Sequence, residues 1–171
     1  MKQFEISSEG GTANQSKIGI RRLAVNAAFL KDIKDDSQGL KVLLDQIIPI
    51  TRHQQTAANH WPELVILMND LRDQLALHFS LEEAYGYFDD AVIVSPQVSE
   101  IAEVLRSEHP FLFAAIRDLA DQASEVCSDR PEQVNRFIQQ LDSFRCMFEK
   151  HEENELKLIL DSLDDDFGVG D

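Results

Sequence analysis

Five side chains in this 171-residue sequence stand out for the chemistry they can do together: His78, Glu82, His109, His151 and Glu155. Two of the pairs repeat one spacing, His-x-x-x-Glu, at 78–82 and 151–155. On a helix, residues four apart share a face, so each pair projects an imidazole and a carboxylate in one direction. Imidazole nitrogens fill terminal positions on a transition metal, and carboxylates bridge two metals or balance their charge. Without a cation, two inward carboxylates repel and each is costly to desolvate. A bound metal removes that penalty.

The elements that carry these residues are helical. The apolar stripes run at spacings of three and four, and no alternating strand pattern competes. One stripe reads Leu64, Met68, Leu71, Leu75, His78, Glu82; the next reads Val98, Ile101, Leu105, His109, Leu112, Ile116. The last reads Phe137, Leu141, Phe144, Phe148, His151, Glu155, Leu158. Histidine and glutamate interrupt otherwise apolar faces. Four segments are expected: about Ile20–Thr56 with a bend at Gly39 or Pro49, Trp61 to about Phe88, Pro96–Cys127, and Pro131 to about Leu163. Proline opens three of them at or beside the first helical position, where its missing N–H is no loss. Ser95 and Asp129 are the nearest candidate caps for the last two. The short connectors make neighbours antiparallel, so the fold class is all-α: an up-and-down antiparallel four-helix bundle with an N-terminal helical extension. Residues 1–16, rich in Ser, Gly, Gln and Asn, are expected to be poorly ordered, residues 17–163 to form the bundle, and 164–171 to be an acidic tail.

In an antiparallel hairpin, residues equidistant from the turn sit side by side. The midpoint of 78 and 109 falls in the second connector, and that of 109 and 151 is Arg130, in the third. The three histidines therefore meet at one height. The second and fourth helices run the same way, so Glu82 and Glu155 shift together by one turn, about 6 Å. The other polar residues have plainer readings. His53 and His60 fall far from that level and are expected at the surface or in caps. Glu83, Glu152 and Glu153 rotate off the stripe toward solvent, with Glu83 the best of them as an auxiliary carboxylate. Tyr85 and Tyr87 follow the second-helix motif as packing or hydrogen-bonding residues, and Pro110 is expected to kink the third helix.

The stretches HFSLEEAYGYF at 78–88, SEHPFLF around His109 and KHEENELKLIL at 150–160 resemble the hemerythrin-like family, the HHE cation-binding domains. The resemblance covers about Phe29 to Leu163. It implies a four-helix bundle holding iron, two ions bridged by carboxylates, with a mononuclear site or another divalent metal as the variants. His78, His109 and His151 would be terminal ligands, and Glu82 and Glu155 the bridges. Two departures matter. The family usually has a histidine on the first helix at this height; reflecting His78 through the first turn lands near SQGLK at 37–41. Ser37 continues the stripe Ile33, Leu40, Leu44, Ile47, and Asp36, Gln38 or a water are the other candidates for the slot. Where some members carry a second histidine on the third helix, this chain has Leu105 and Phe113. Five ligands stand where the respiratory carriers have seven, which speaks against reversible oxygen transport.

The expected function is binding or sensing of O2, NO or iron. A ferritin-like di-iron oxidase or peroxidase uses Glu-x-x-His pairs instead, the reverse order with a narrower spacing. A bundle that has lost its metal and serves as an interaction domain is the third reading. The net charge of −15 excludes nucleic acid and anionic membranes as natural partners. No apolar run reaches the ~18 residues of a membrane span. The start, MKQFEISSEGG, lacks the apolar stretch of a secretory signal, so a cytoplasmic location is expected. Cys127 and Cys146 lie too far apart in the hairpin to bridge, and both are read as reduced.

Overall fold

A computed structural model describes residues 35–84 and 96–167, with the side chains of 96–98, 159 and 161–167 left undescribed. The expected disorder of 1–16, the first helix before residue 35, Ser95, Tyr85 and Tyr87 all lie outside these residues. From Asp36 onward the described residues belong to one compact unit. They form helix α1 (residues 35–51), the short α2 (Gln54–Asn59), α3 (Trp61–Ala84), α4 (Pro96–Glu125) and α5 (Pro131–Phe167). No strand occurs among the described residues, and no described helix is long and apolar enough to cross a membrane.

A seam of buried residues at alternating steps of three and four runs along each of the long helices α3, α4 and α5. In α3 they include Trp61, Leu64, Met68, Leu71, Leu75, His78 and Glu82; in α4, Ala102, Leu105, His109, Leu112, Ile116, Leu119 and Ala123. In α5 the run is Val134, Phe137, Leu141, Phe144, Phe148, His151, Glu155 and Leu158. A mean period of 3.5 keeps one seam turned toward a neighbour along the whole length of a helix, which is how near-parallel bundles pack. α3 packs on α4 and α4 on α5, each pair antiparallel, while α2 touches α5 and α3. α1 lies on α3, with Leu40 and Ile47 in the common core and Gly39 against Gln74. A Cβ at Gly39 would come within 3.2 Å of the Gln74 side chain, so this close approach favours glycine there.

Several boundaries differ from the sequence reading. α1 runs unbroken past Gly39 and Pro49, and the chain breaks at 52–53 instead. Pro49 removes one helical donor, and the helix stops two residues later. The fourth helix continues through Phe167, past the expected end at Leu163. Arg130, not Asp129, holds the cap position of α5: its carbonyl accepts from Gln133 and Val134 N–H, at 3.0 and 3.2 Å. α4 continues through Pro110. Ile101 is 48% exposed and Ala102 takes the inward place, one step round the helix. Both cysteines are free and exposed.

The end of the bundle away from the polar cluster is sealed by Trp61. Its ring meets Phe137 edge-on, centroids 5.1 Å apart, and Nε1–H donates to the Ala123 carbonyl at 2.9 Å. This satisfies the one polar atom of a buried indole. Phe137 is 1% exposed, so its truncation leaves a cavity that the surrounding helices fill only in part. Phe137→Ala is expected to lower the unfolding free energy by about 3–5 kcal/mol, read from a denaturant midpoint. A loss under about 1 kcal/mol would mean that this end of the core is not packed as described.

Candidate metal centre

All five residues picked out by their spacing are brought together. His78, Glu82, His109, His151 and Glu155 are each 3% exposed or less. Two helical turns of α3, one level of α4 and two turns of α5 supply them, each at an inward position that the apolar residues before it establish.

Their donor atoms fall into two groups. One is Glu82, His109, His151 and Glu155; the other is His78, Glu82, Glu152 and Glu155. Within each group, one donor atom per residue lies within 4.8 Å of all the others. Glu82 and Glu155 belong to both. Every histidine turns Nε2 toward these carboxylates: His78 Nε2 is 3.1 Å from Glu82 Oε1, and His151 Nε2 is 3.0 Å from Glu155 Oε1. His109 Nε2 lies 3.3 Å from Glu155 Oε1 and 3.5 Å from Glu82 Oε2.

The outward nitrogens of two rings are held by further carboxylates. His78 Nδ1 and Asp36 Oδ2 are 2.6 Å apart, and the other oxygen of Asp36 accepts from Gln74 Nε2 at 2.6 Å. His151 Nδ1 is 2.8 Å from Glu108 Oε2. A carboxylate behind an imidazole fixes the tautomer, leaving Nε2 as the lone-pair nitrogen, and makes the ring a stronger metal donor. Phe79 lies among the rings, stacked on His109 at 4.6 Å and edge-on to His78 and His151. With Phe148 it keeps the surroundings apolar, which strengthens every charge interaction inside.

Three expectations are corrected here. Ser37 is exposed and does not fill the first-helix slot; Asp36, 5% exposed, is the inward residue of α1. Gln38 is exposed as well. Glu152 does not point away into solvent: it is half-buried, with Oε1 3.0 Å from His78 Nε2. A glutamate side chain is long enough to return to the seam from a flanking position. Glu83, the favoured auxiliary, is 57% exposed and no nearer than 3.8 Å to His109 Nδ1, outside both groups. Glu153 is exposed, as are His53 and His60, the last paired with Glu63 at 3.1 Å. Glu108 and Phe79 were missed. The midpoint of 108 and 151 falls between residues 129 and 130, so the reflection that aligned the histidines would also have found Glu108.

The protonation pattern follows from this crowding. Burial opposes a charged His78 ring, but hydrogen bonds to Asp36, Glu152 and Glu82 outweigh it and push its pKa up to about 12. Burial opposes His151 too, yet Glu155 and Glu108 raise it to about 9. Burial pushes Glu155 upward, and the contacts with His109 and His151 overcome it, bringing the carboxyl down to about 2. Glu82 is raised, by burial first and then by the Glu155 charge, against the pull of His78. Protons thus hold the cluster together when no cation does, and the compensation is incomplete. Glu82 Oε2 and His151 Nε2 are fully buried without a hydrogen bond of good geometry. Imidazoles and carboxylates converging on buried, unsatisfied donor atoms fit a divalent transition metal.

A raised histidine pKa stabilises the fold fully below the ordinary 6.5 and loses that contribution as pH climbs through the folded value. The melting temperature of metal-free protein is therefore expected to fall between pH 6.5 and 9 as His151 loses its proton. In Glu108→Gln the decline is expected to be smaller and to end at lower pH. An unchanged profile in that variant would show that Glu108 does not hold the ring.

The comparisons with known proteins agree with this geometry. No curated protein and no solved structure matches the chain. The hemerythrin HHE cation binding domain matches residues 28–162, a span that takes in every residue of both groups. A bundle with buried His/Glu clusters, matched over most of its length, belongs to the hemerythrin HHE cation-binding domain family.

Proposed function

We propose that this chain is a non-haem iron protein holding two iron ions, bridged by Glu82 and Glu155, that binds or senses a small ligand such as O2 or NO. The observation that carries the reading is the overlap of the two donor groups in those two carboxylates and nothing else. A pair of cations one bridging distance apart needs shared anionic ligands between them and imidazoles at the ends. His109 and His151 would serve one ion and His78 the other. Iron held by these residues would supply the electrons for binding a diatomic ligand.

The protein's own part is to orient the rings, keep bulk water out and leave a way in. Asp36 and Glu108 orient His78 and His151. Phe79 and Phe148 keep the interior dry. A cavity of about 220 Å³ between α3 and α4, lined by Phe79, Ser80, Glu83, His109, Pro110 and Phe113, reaches from the surface to His109. Its mostly apolar wall suits a small uncharged molecule and excludes larger polar ones. Its lining offers one carboxylate, Glu83, and no lysine or arginine to collect an anionic organic substrate, which favours binding or sensing over an oxidase or peroxidase.

Protein produced with ample iron is expected to carry two iron atoms per chain by elemental analysis, and His151→Ala to lose at least one. Absence of stoichiometric iron in the wild type would end this reading. Binding must displace protons from His78 and His151, so metal affinity is expected to rise with pH from about 6.5 to 9. This is opposite in sign to the metal-free stability trend, so the gap between loaded and metal-free melting temperatures should widen over that range. Asp36→Asn is expected to weaken iron binding ~10–100-fold by removing the carboxylate behind His78. Unaltered affinity in that variant would assign Asp36 a packing role only.

A further inference from the structure

Glu152 follows His151 directly and lies off the three-four stripe that carries the other site residues. Its side chain is 35% exposed, and Oε1 reaches 3.0 Å from His78 Nε2, on the side of the site away from His109 and His151 in the donor grouping. Its carboxylate shares the 4.8 Å cluster with His78, Glu82 and Glu155.

We propose that Glu152 is a direct ligand of one cation only, the one served by His78, and that the two metal positions are therefore chemically unequal. The inference rests on the two-cation reading above and adds a donor that neither the spacing pattern nor the family match assigns. Among the described residues, the His78 position without Glu152 has one imidazole and two shared carboxylates. α1 does not make up the shortfall. Both Asp36 oxygens are already engaged, by His78 Nδ1 and Gln74 Nε2, and Ser37 and Gln38 face solvent. The Glu82 carboxylate, 3% exposed, spans both positions: Oε1 lies 3.1 Å from His78 Nε2, and Oε2, 3.5 Å from His109 Nε2, has no hydrogen bond of good geometry. A buried acceptor aimed into a set of donors is explained by a cation among them.

The consequence is a difference in hardness. The His109/His151 position offers two imidazoles and two shared carboxylates. The His78 position offers one imidazole and three carboxylates, an oxygen-rich set that suits harder cations such as Mn2+ or oxidised iron. Glu152 also supplies a third negative charge beside Glu82 and Glu155, which offsets more of the charge of two divalent ions in a low-dielectric interior.

Glu152→Gln tests this, because the amide oxygen still accepts from His78 Nε2 while the anionic ligand is lost. Metal-free wild type and variant are dialysed anaerobically against graded Fe2+, with bound iron counted per chain. The wild type is expected to take up two ions. The variant should keep the first with little change and bind the second at least ~10–100-fold more weakly, the range already seen when mere supporting groups around metal ligands are lost. With Fe2+ and Mn2+ supplied together, the wild type should retain some manganese and the variant should lose that share. A second iron bound equally tightly by Glu152→Gln overturns the assignment, as does equal weakening of both ions with the helical content intact. A wild type that binds fewer than two ions instead overturns the two-cation reading itself, and this inference with it.

Discussion

Two carboxylates buried face to face in an apolar core are the constraint on which this structure turns. Glu82 and Glu155 are both 3% exposed, and the charge of Glu155 raises the pKa of Glu82. An isolated buried carboxylate costs several kcal/mol, and here there are two at one level of the bundle. Positive charge has to sit between them. In the metal-free chain it is the protons of His78 and His151, held above their ordinary range by Asp36, Glu108, Glu152 and the two carboxylates themselves. Protons do this imperfectly, since Glu82 Oε2 and His151 Nε2 stay buried without a well-formed hydrogen bond. A bound cation would do it with the same atoms.

The bundle supplies this arrangement at little extra cost, because the site occupies positions that the apolar core already defines. The seam of α5 passes from Phe144 and Phe148 to His151 and Glu155 without a change of period, and α3 does the same from Leu71 and Leu75 to His78 and Glu82. Substituting polar residues for apolar ones in the last layers of a seam turns core geometry into coordination geometry. The aromatic rings next to them take part in both: Phe79 and Phe148 complete the core and also keep the imidazoles out of bulk water.

Much of this was legible in the residue order. A 3.5-residue mean period and short connectors suffice for an antiparallel bundle, and equal distance from a turn brings His78, His109 and His151 to one level. What stayed hidden depends on side-chain reach. Glu152 lies off the seam, so periodicity assigns it to solvent, yet three methylene and carboxyl groups bring its oxygen back to His78. Asp36 and Ser37 are neighbours, and a stripe drawn from Leu40 and Leu44 cannot say which of them turns inward; the phase set by Leu40 and Ile47 does. The break falls at 52–53 and not at Pro49, because the lost donor of a proline so near the helix end costs one hydrogen bond without stopping the last turn. The supporting carboxylate Glu108 was within reach of the same reflection argument, had it been applied to acids as well as to histidines.

The most direct trial of the central claim is anomalous X-ray diffraction at the iron absorption edge from crystals of iron-loaded protein. Shared carboxylates between the ions predict two anomalous peaks about 3.5–4 Å apart, with Glu82 and Glu155 reaching both. A single peak, or peaks that neither carboxylate connects, would contradict it.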